Sequence, residues 1–249
     1  MNIRIQNVSV EYQRPILDNI DLEIEEGEFV SVVGQTGCGK STLLRLILGE
    51  ERPARGRVLV NGKERSQPDP TCGYVPQKYS LFPDRTVLGN VMFGLKSGEG
   101  REKALAFLRR TGLQDSDATK YPHQLSGGMQ QRVAIAQALI LNPPVLLMDE
   151  AFSALDPGTR AGMQRLIKEL WRESGTTIVF VTHNTREAVC LGLRVIALAK
   201  DHSGERGSSV ALDIPAPHLD FDSAEEELRT VIHGVESATV HSQRAHVLL

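Results

Sequence analysis

The chain has 249 residues, 41% of them hydrophobic, with 28 basic and 31 acidic residues giving a formal net charge of -3. That length supports one large core rather than two, and the balanced charge gives no positive field that would make nucleic acid the main partner. Cys38, Cys72 and Cys190 form no CxxC pair, which argues against a zinc site or a disulfide framework and for three reduced thiols.

The first twenty residues carry Arg4, Glu11, Arg14 and Asp18 and no long apolar stretch, so no secretory signal is expected and the chain is expected to stay inside the cell. Residues 3–12, 21–25 and 57–60 read as short strands, the last followed by the turn pair Asn61-Gly62, and predict an antiparallel layer. Between them, residues 29–33 form an apolar run of strand length, followed by a glycine-rich loop and a helix over 41–48 that ends at Gly49.

That loop reads Gly34, Gln35, Thr36, Gly37, Cys38, Gly39, Lys40, Ser41 and fits GxxxxGK[ST]. Its glycines let backbone N–H groups wrap phosphate oxygens at a helix N-terminus. Lys40 is placed to neutralise β- and γ-phosphates, the Ser41 hydroxyl offers a hard oxygen ligand to Mg2+, and Thr42 also faces phosphate. The pattern predicts binding of ATP with Mg2+, and Cys38 inside the loop predicts that bulky thiol reagents block it.

Residues 86–141 are mostly helix formers broken by turns near Gly98, Gly112 and Tyr121-Pro122, and read as a helical insertion. Near its end Leu125-Ser126-Gly127-Gly128-Met129-Gln130-Gln131-Arg132 begins a helix capped by Ser126, a second site where exposed N–H groups suit an anion. A buried strand over 145–148 follows and ends in Asp149 and Glu150, at the sheet edge where α/β folds place ligands. Asp149 would hold Mg2+ through water, and Glu150 would orient and polarise the attacking water.

A helix over 158–173, a strand over 177–181, a helix over 185–191 and a strand over 194–198 alternate as a parallel sheet with right-handed crossovers requires. None of the apolar runs approaches the ~20 residues of a spanning helix. Beyond Lys200 the tail predicts a short strand and a helix, with Ser223 to Glu226 resembling a capping box and Leu228, Val231, Ile232 and Val235 on one helical face. No internal repeat is present, so any second copy of this unit comes from another chain.

Residues 125–132, LSGGMQQR, resemble the signature motif of the ATP-binding cassette (ABC) family. Other positions similar to the family follow in order: Tyr12 ahead of the phosphate loop, Gln77 in Tyr74-Val75-Pro76-Gln77, Ser153-Ala154-Leu155-Asp156, and His183 after Val181-Thr182. The resemblance covers roughly residues 1–200. It implies an α/β fold, a P-loop NTPase (RecA-like) parallel-sheet core with an antiparallel β subdomain and a helical ABC-specific subdomain at 86–141, in a nucleotide-binding domain over 1–200 with a C-terminal tail over 201–249.

The resemblance also implies roles. Tyr12 stacks on adenine, Gln77 touches Mg2+ and faces a permease, His183 contacts the γ-phosphate, and Asp156 communicates across a dimer. Ser126, Gly127, Gly128 and Gln130 of one subunit close over ATP held by the phosphate loop of a second copy. The implied partners are that second copy, transmembrane permease subunits received near residues 78–83, and a solute-binding protein, with the chain at the cytoplasmic face of the membrane.

The wording of residues 74–83 is similar to importers of nitrate, sulfonate and taurine. An exporter or lipid-transport cassette, and a soluble ABC ATPase outside transport, stand as the alternatives. One departure is Leu193, at a position where relatives usually carry an acid before arginine, which predicts a missing surface ion pair at Arg194.

Overall fold

In the computed structural model, residues 2–95, 100–201, 205–216 and 221–233 are described. The chain opens with β1 (Ile3–Glu11) and β2 (Pro15–Ile24), sends β3 (Phe29–Gly34) and α1 (Lys40–Leu48) into the core, and returns with β4 (Arg55–Val60) and the short β5 (Lys63–Glu64). These strands, without β3, make an antiparallel sheet in the order β2-β1-β4-β5. Strand β2 begins at Pro15, ahead of the expected 21. Register shifts along its pairing with β1, and Asn7 and Asn19 at positive φ, break the period-two pattern that would have marked it.

Strand β6 (Cys72–Val75) leads to the helical insertion, which comprises α2 (Val87–Val91), α3 (Arg101–Arg110), two 3-10 turns, and α4 (Gly127–Leu139). The insertion has its own apolar centre, where Val87, Val91, Leu108, Val133 and Ile140 are buried together. Asn90, fully buried, accepts from Phe82 N–H at 2.7 Å and donates to the carbonyls of Phe82, Arg85 and Thr86. One satisfied side chain thus fixes the bend that enters α2. The turn expected near Gly98 lies outside the described residues.

The remainder alternates as expected through β7 (Val145–Asp149), α5 (Pro157–Ser174), β8 (Thr177–Thr182), α6 (Thr185–Leu191) and β9 (Arg194–Ala199), then adds β10 (Ser209–Pro215) and α7 (Phe221–His233). The second sheet runs β10-β9-β3-β8-β7-β6. Five of these strands are parallel, and β10 joins β9 antiparallel, so the sheet is mixed at one edge. Every residue of β3, β7 and β8 is buried, the consequence of helices covering both faces of a parallel sheet.

Helix α7 lays Leu228 and Ile232 against Val33, Ala188, Val195 and Ala197. It starts at Phe221, ahead of the Ser223 cap position, and Val235 lies outside the described residues. Leu193 is exposed as expected, but Arg194 does not lack acids: it pairs with Asp213 at 2.6 Å and Glu28 at 3.2 Å. The expected gap at that ion pair is therefore corrected, since the antiparallel edge strand and the residue before β3 supply the carboxylates.

Candidate functional site

Parallel pairing aligns the ends of four strands. Val33 of β3 faces Thr182 of β8, Asp149 of β7 faces Val181, and Val75 of β6 faces Met148. Gly34, His183, Glu150 and Gln77 therefore emerge side by side at the carboxyl edge of the sheet, where ligands bind in open α/β folds.

The phosphate loop leaves β3 at Gly34 and enters α1 through Gly39, which caps the helix with φ +91°. A Cβ on Gly39 would stand 2.6 Å from Leu17 Cδ2, so both the backbone conformation and the packing exclude a side chain there. Lys40 is only 5% exposed, and its ammonium donates to the carbonyls of Gly34 at 2.8 Å and Gln35 at 3.1 Å. The lysine is thereby held across the mouth of its own loop, its charge inside the ring of backbone dipoles.

Asp149, 4% exposed, lies across from Ser41. Burial raises its pKa, against the Ser41 hydroxyl bonded to it and the nearby Lys40 charge, while Glu150 pushes further upward. Its Oδ1 is buried with no hydrogen-bond partner. An orphaned carboxylate oxygen beside a serine hydroxyl is a donor set that suits a hard divalent cation. Among the described residues no group of three or more His, Cys, Asp and Glu side chains could hold a metal, so phosphate oxygens would have to complete such a shell.

Because the folded state binds the Asp149 proton more tightly than the unfolded chain does, ionisation of Asp149 carries a stability cost that is absent below the unfolded pKa and grows as pH rises. Asp149→Asn is expected to raise the melting temperature at pH 7 and to lower ATPase activity, with the thermal gain shrinking as pH falls toward about 4. Calorimetry across pH checks this, and a lower melting temperature at pH 7 than at pH 4 relative to wild type would contradict it.

Glu150 gathers the other sequence candidates. Gln77 Nε2 donates to Glu150 Oε2 at 3.0 Å, and His183 Nδ1 lies 3.2 Å from the same oxygen. Glu150 itself has φ +46°, and the other non-glycine residues described at positive φ are all asparagines, which tolerate that region. Backbone strain of this kind, on the order of 1 kcal/mol, is held where surrounding structure fixes it. Here Glu150 N–H donates to Val181 O at 2.9 Å and its carbonyl accepts from Ser153 N–H at 3.0 Å.

Asp156 caps α5, its Oδ1 accepting from Gly158 and Thr159 N–H, and the Thr159 hydroxyl leads the contacts that hold its pKa down. Sequence reasoning missed the residue that holds the turn before it: Arg160 donates to the carbonyls of Phe152 and Leu155 and sits 3.7 Å from Glu187. Glu187 in turn accepts from the Thr182 hydroxyl at 2.8 Å, tying the Asp156 turn to the strand that carries His183. An arginine on a helix face gives no sequence signal of such a role.

The structure does not bring the signature residues onto this row. Ser126 caps α4, accepting from Met129 N–H at 3.3 Å, and Gln130 donates to Leu125 O. A Cβ on Gly127 would meet Tyr79 Oη at 3.6 Å and one on Gly128 would meet Ala154 O at 3.5 Å, so the helix start lies beside the Gln77 and Asp156 loops.

Tyr12 is 52% exposed just past β1, its hydroxyl bonded to Glu51, which leaves the ring open to a planar partner. The accessibility expected of Cys38 is corrected: its side chain is 1% exposed and burial raises the pKa of its thiol, so the reactive thiolate is scarce and shielded.

Comparison with known proteins places this geometry. The ABC transporter family matches residues 17–153. An uncharacterized ABC transporter ATP-binding protein of Methanocaldococcus jannaschii is 46% identical over 206 residues, spanning 81% of this chain and 76% of that protein. An aliphatic sulfonates import ATP-binding protein of Zymomonas mobilis is 45% identical over 204 residues, spanning 82% of this chain and 83% of that one.

Among solved structures, a dimeric ATP-binding cassette in a post-hydrolysis state bound to ADP and Pi superposes with a TM-score of 0.75 at 36% identity over 86% of this chain and 98% of its own. With a phosphate loop, a carboxylate pair and a capped LSGGMQQR helix on one α/β core, this chain belongs to the ABC transporter family, as an ATP-binding and ATP-hydrolysing subunit.

Proposed function

We propose that this chain powers uptake of a small anion of the sulfonate class through a separate membrane permease, hydrolysing ATP at sites shared between two copies. The observation that carries the catalytic half is the convergence of Gln77 and His183 on one oxygen of Glu150, beside the phosphate loop. Glu150 orients and polarises the attacking water, and His183 reaches the γ-phosphate. Lys40 and the N–H groups of residues 34–42 hold the β- and γ-phosphates.

Tyr12 supports the adenine ring. The Ser41 hydroxyl, Asp149 through water, and Gln77 fit Mg2+, which when bound would neutralise phosphate charge. Ser126, Gly127, Gly128 and Gln130 of the second copy cover the same nucleotide, with Asp156 near the joint. Solved cassettes of 36% and 35% identity are dimeric, which supports this pairing.

Residues 1–200 act as the nucleotide-binding domain with residues 86–141 as its helical subdomain, and 201–249 form a tail. No helix among the described residues is long and apolar enough to cross a membrane, and the proposed pathway is supplied by permease chains. Their landing place is the segment after Gln77. There Phe93, 50% exposed, packs 4.2 Å from Phe82 with Arg85 over both rings, an anchor of the kind interfaces favour. The chain then sits on the cytoplasmic face of the membrane.

The import reading and its sulfonate-like cargo rest on relatives named as aliphatic sulfonate importers, 45% and 47% identical. Gentle detergent extraction of the tagged chain from its native cell, with mass spectrometry of its partners, tests this. A multi-span permease together with a solute-binding protein is expected. A permease with no binding protein after cross-linking would favour export, and only soluble partners would overturn a role in transport.

A further inference from the structure

Two contacts join the chain beyond β9 to the outside of the phosphate loop, and a third site joins it to the stretch of β2 that packs against the loop. Lys200, the residue after β9, donates from Nζ to Thr36 O at 2.7 Å. Gln35 Nε2 donates to Ile232 O at 2.8 Å, in the last turn of α7, where a helix leaves its carbonyls without partners of its own. Ser208 exchanges hydrogen bonds with the backbone of Ile16 and Asp18, on either side of the Leu17 that packs against Gly39.

The links continue inward. The carbonyl of the same Gln35 accepts from Lys40 Nζ at 3.1 Å, so the end of α7, Gln35 and Lys40 form one chain of hydrogen bonds. Strand β9 pairs with β3 up to Gly34, opposite Leu198, which sets Lys200 two residues past the partner of the first loop residue. A Cβ built on Gly37 would stand 3.4 Å from Lys200 Nζ, so the ammonium lies along the limb of residues 35–37. An unpaired loop of this glycine content loses much backbone freedom when it wraps a phosphate, and bonds made beforehand reduce that cost.

We propose that Lys200 is a positioning residue for the phosphate loop, acting with the last turn of α7 to hold residues 35–37 in the shape that wraps nucleotide phosphate. The tail thereby sets nucleotide affinity rather than the rate of the chemical step. This rests on the phosphate-loop reading above. Because the loop cradles phosphates present in both ATP and ADP, the two nucleotides lose affinity together when the support is removed.

The test is fluorescence titration of the purified full chain with N-methylanthraniloyl ATP and ADP, alongside kcat, KM and melting temperature. Lys200→Met, which keeps the apolar stem, is expected to weaken both nucleotides by about tenfold, with kcat at saturation within about twofold of wild type. Lys200→Arg is expected to restore most of the affinity. Leu228→Ala, which loosens α7 on the sheet, is expected to move affinity the same way as Lys200→Met.

Unchanged affinity in Lys200→Met would overturn the proposal whatever Leu228→Ala does, as would a fall in kcat or melting temperature with affinity unmoved. Lys40→Ala separates the two claims. If it abolishes binding while Lys200→Met does nothing, the positioning role alone fails; if Lys40→Ala still binds normally, the phosphate-loop reading fails with it.

Discussion

Glu150→Gln is expected to cut ATP turnover by about a hundred- to a thousandfold while leaving nucleotide binding in place, the range seen when one group aimed at developing charge is removed. The substitution keeps the shape of the side chain and can keep a contact to Gln77, now 3.0 Å away, but removes the charge that both Gln77 and His183 face. It also keeps the backbone at φ +46°, because the bonds to Val181 and Ser153 that fix that conformation are main-chain. A single-turnover phosphate-release assay reads the change, and a normal rate would remove Glu150 from its assigned role.

Lys40→Ala is expected to weaken ATP by about a hundredfold or more, the scale for losing one member of a buried, hydrogen-bonded charge arrangement. Two effects add. The phosphates lose a cation that burial keeps out of bulk water, and the carbonyls of Gly34 and Gln35 lose the donor that draws the loop closed. Isothermal titration measures the affinity directly. Retention of wild-type affinity would contradict the reading of residues 34–41 as the loop that holds the nucleotide phosphates.

Much of this was legible because the signals are dictated by backbone and burial. Positive φ and a close Leu17 require glycine at Gly39, and complete burial makes β3, β7 and β8 read as mainly apolar runs, broken in β3 by Ser31, that end at Gly34, Asp149 and Thr182. What escaped lies where neither constraint acts. Strand β6 is an edge strand of four residues that includes Gly73 and carries no clear periodic pattern, whereas the short strand expected in the tail is β10, at the other edge of the sheet.

Arg160 and Lys200 escaped for a different reason: each acts through backbone carbonyls of a segment distant in sequence or shape, and their own neighbours carry no mark of it. Cys38 shows the converse. A thiol inside a solvent-facing motif suggested reactivity, yet the side chain is buried as part of the main core.

The central claim is that one copy supplies the phosphate loop and the other the LSGGMQQR cap. Light scattering on purified Glu150→Gln tests it most directly, comparing Mg-ATP with ADP. Twice the chain mass is predicted in ATP and the single-chain mass in ADP, with the doubling lost when Ser126→Arg is added. A single-chain mass in saturating ATP, with nucleotide shown to be bound, would contradict it.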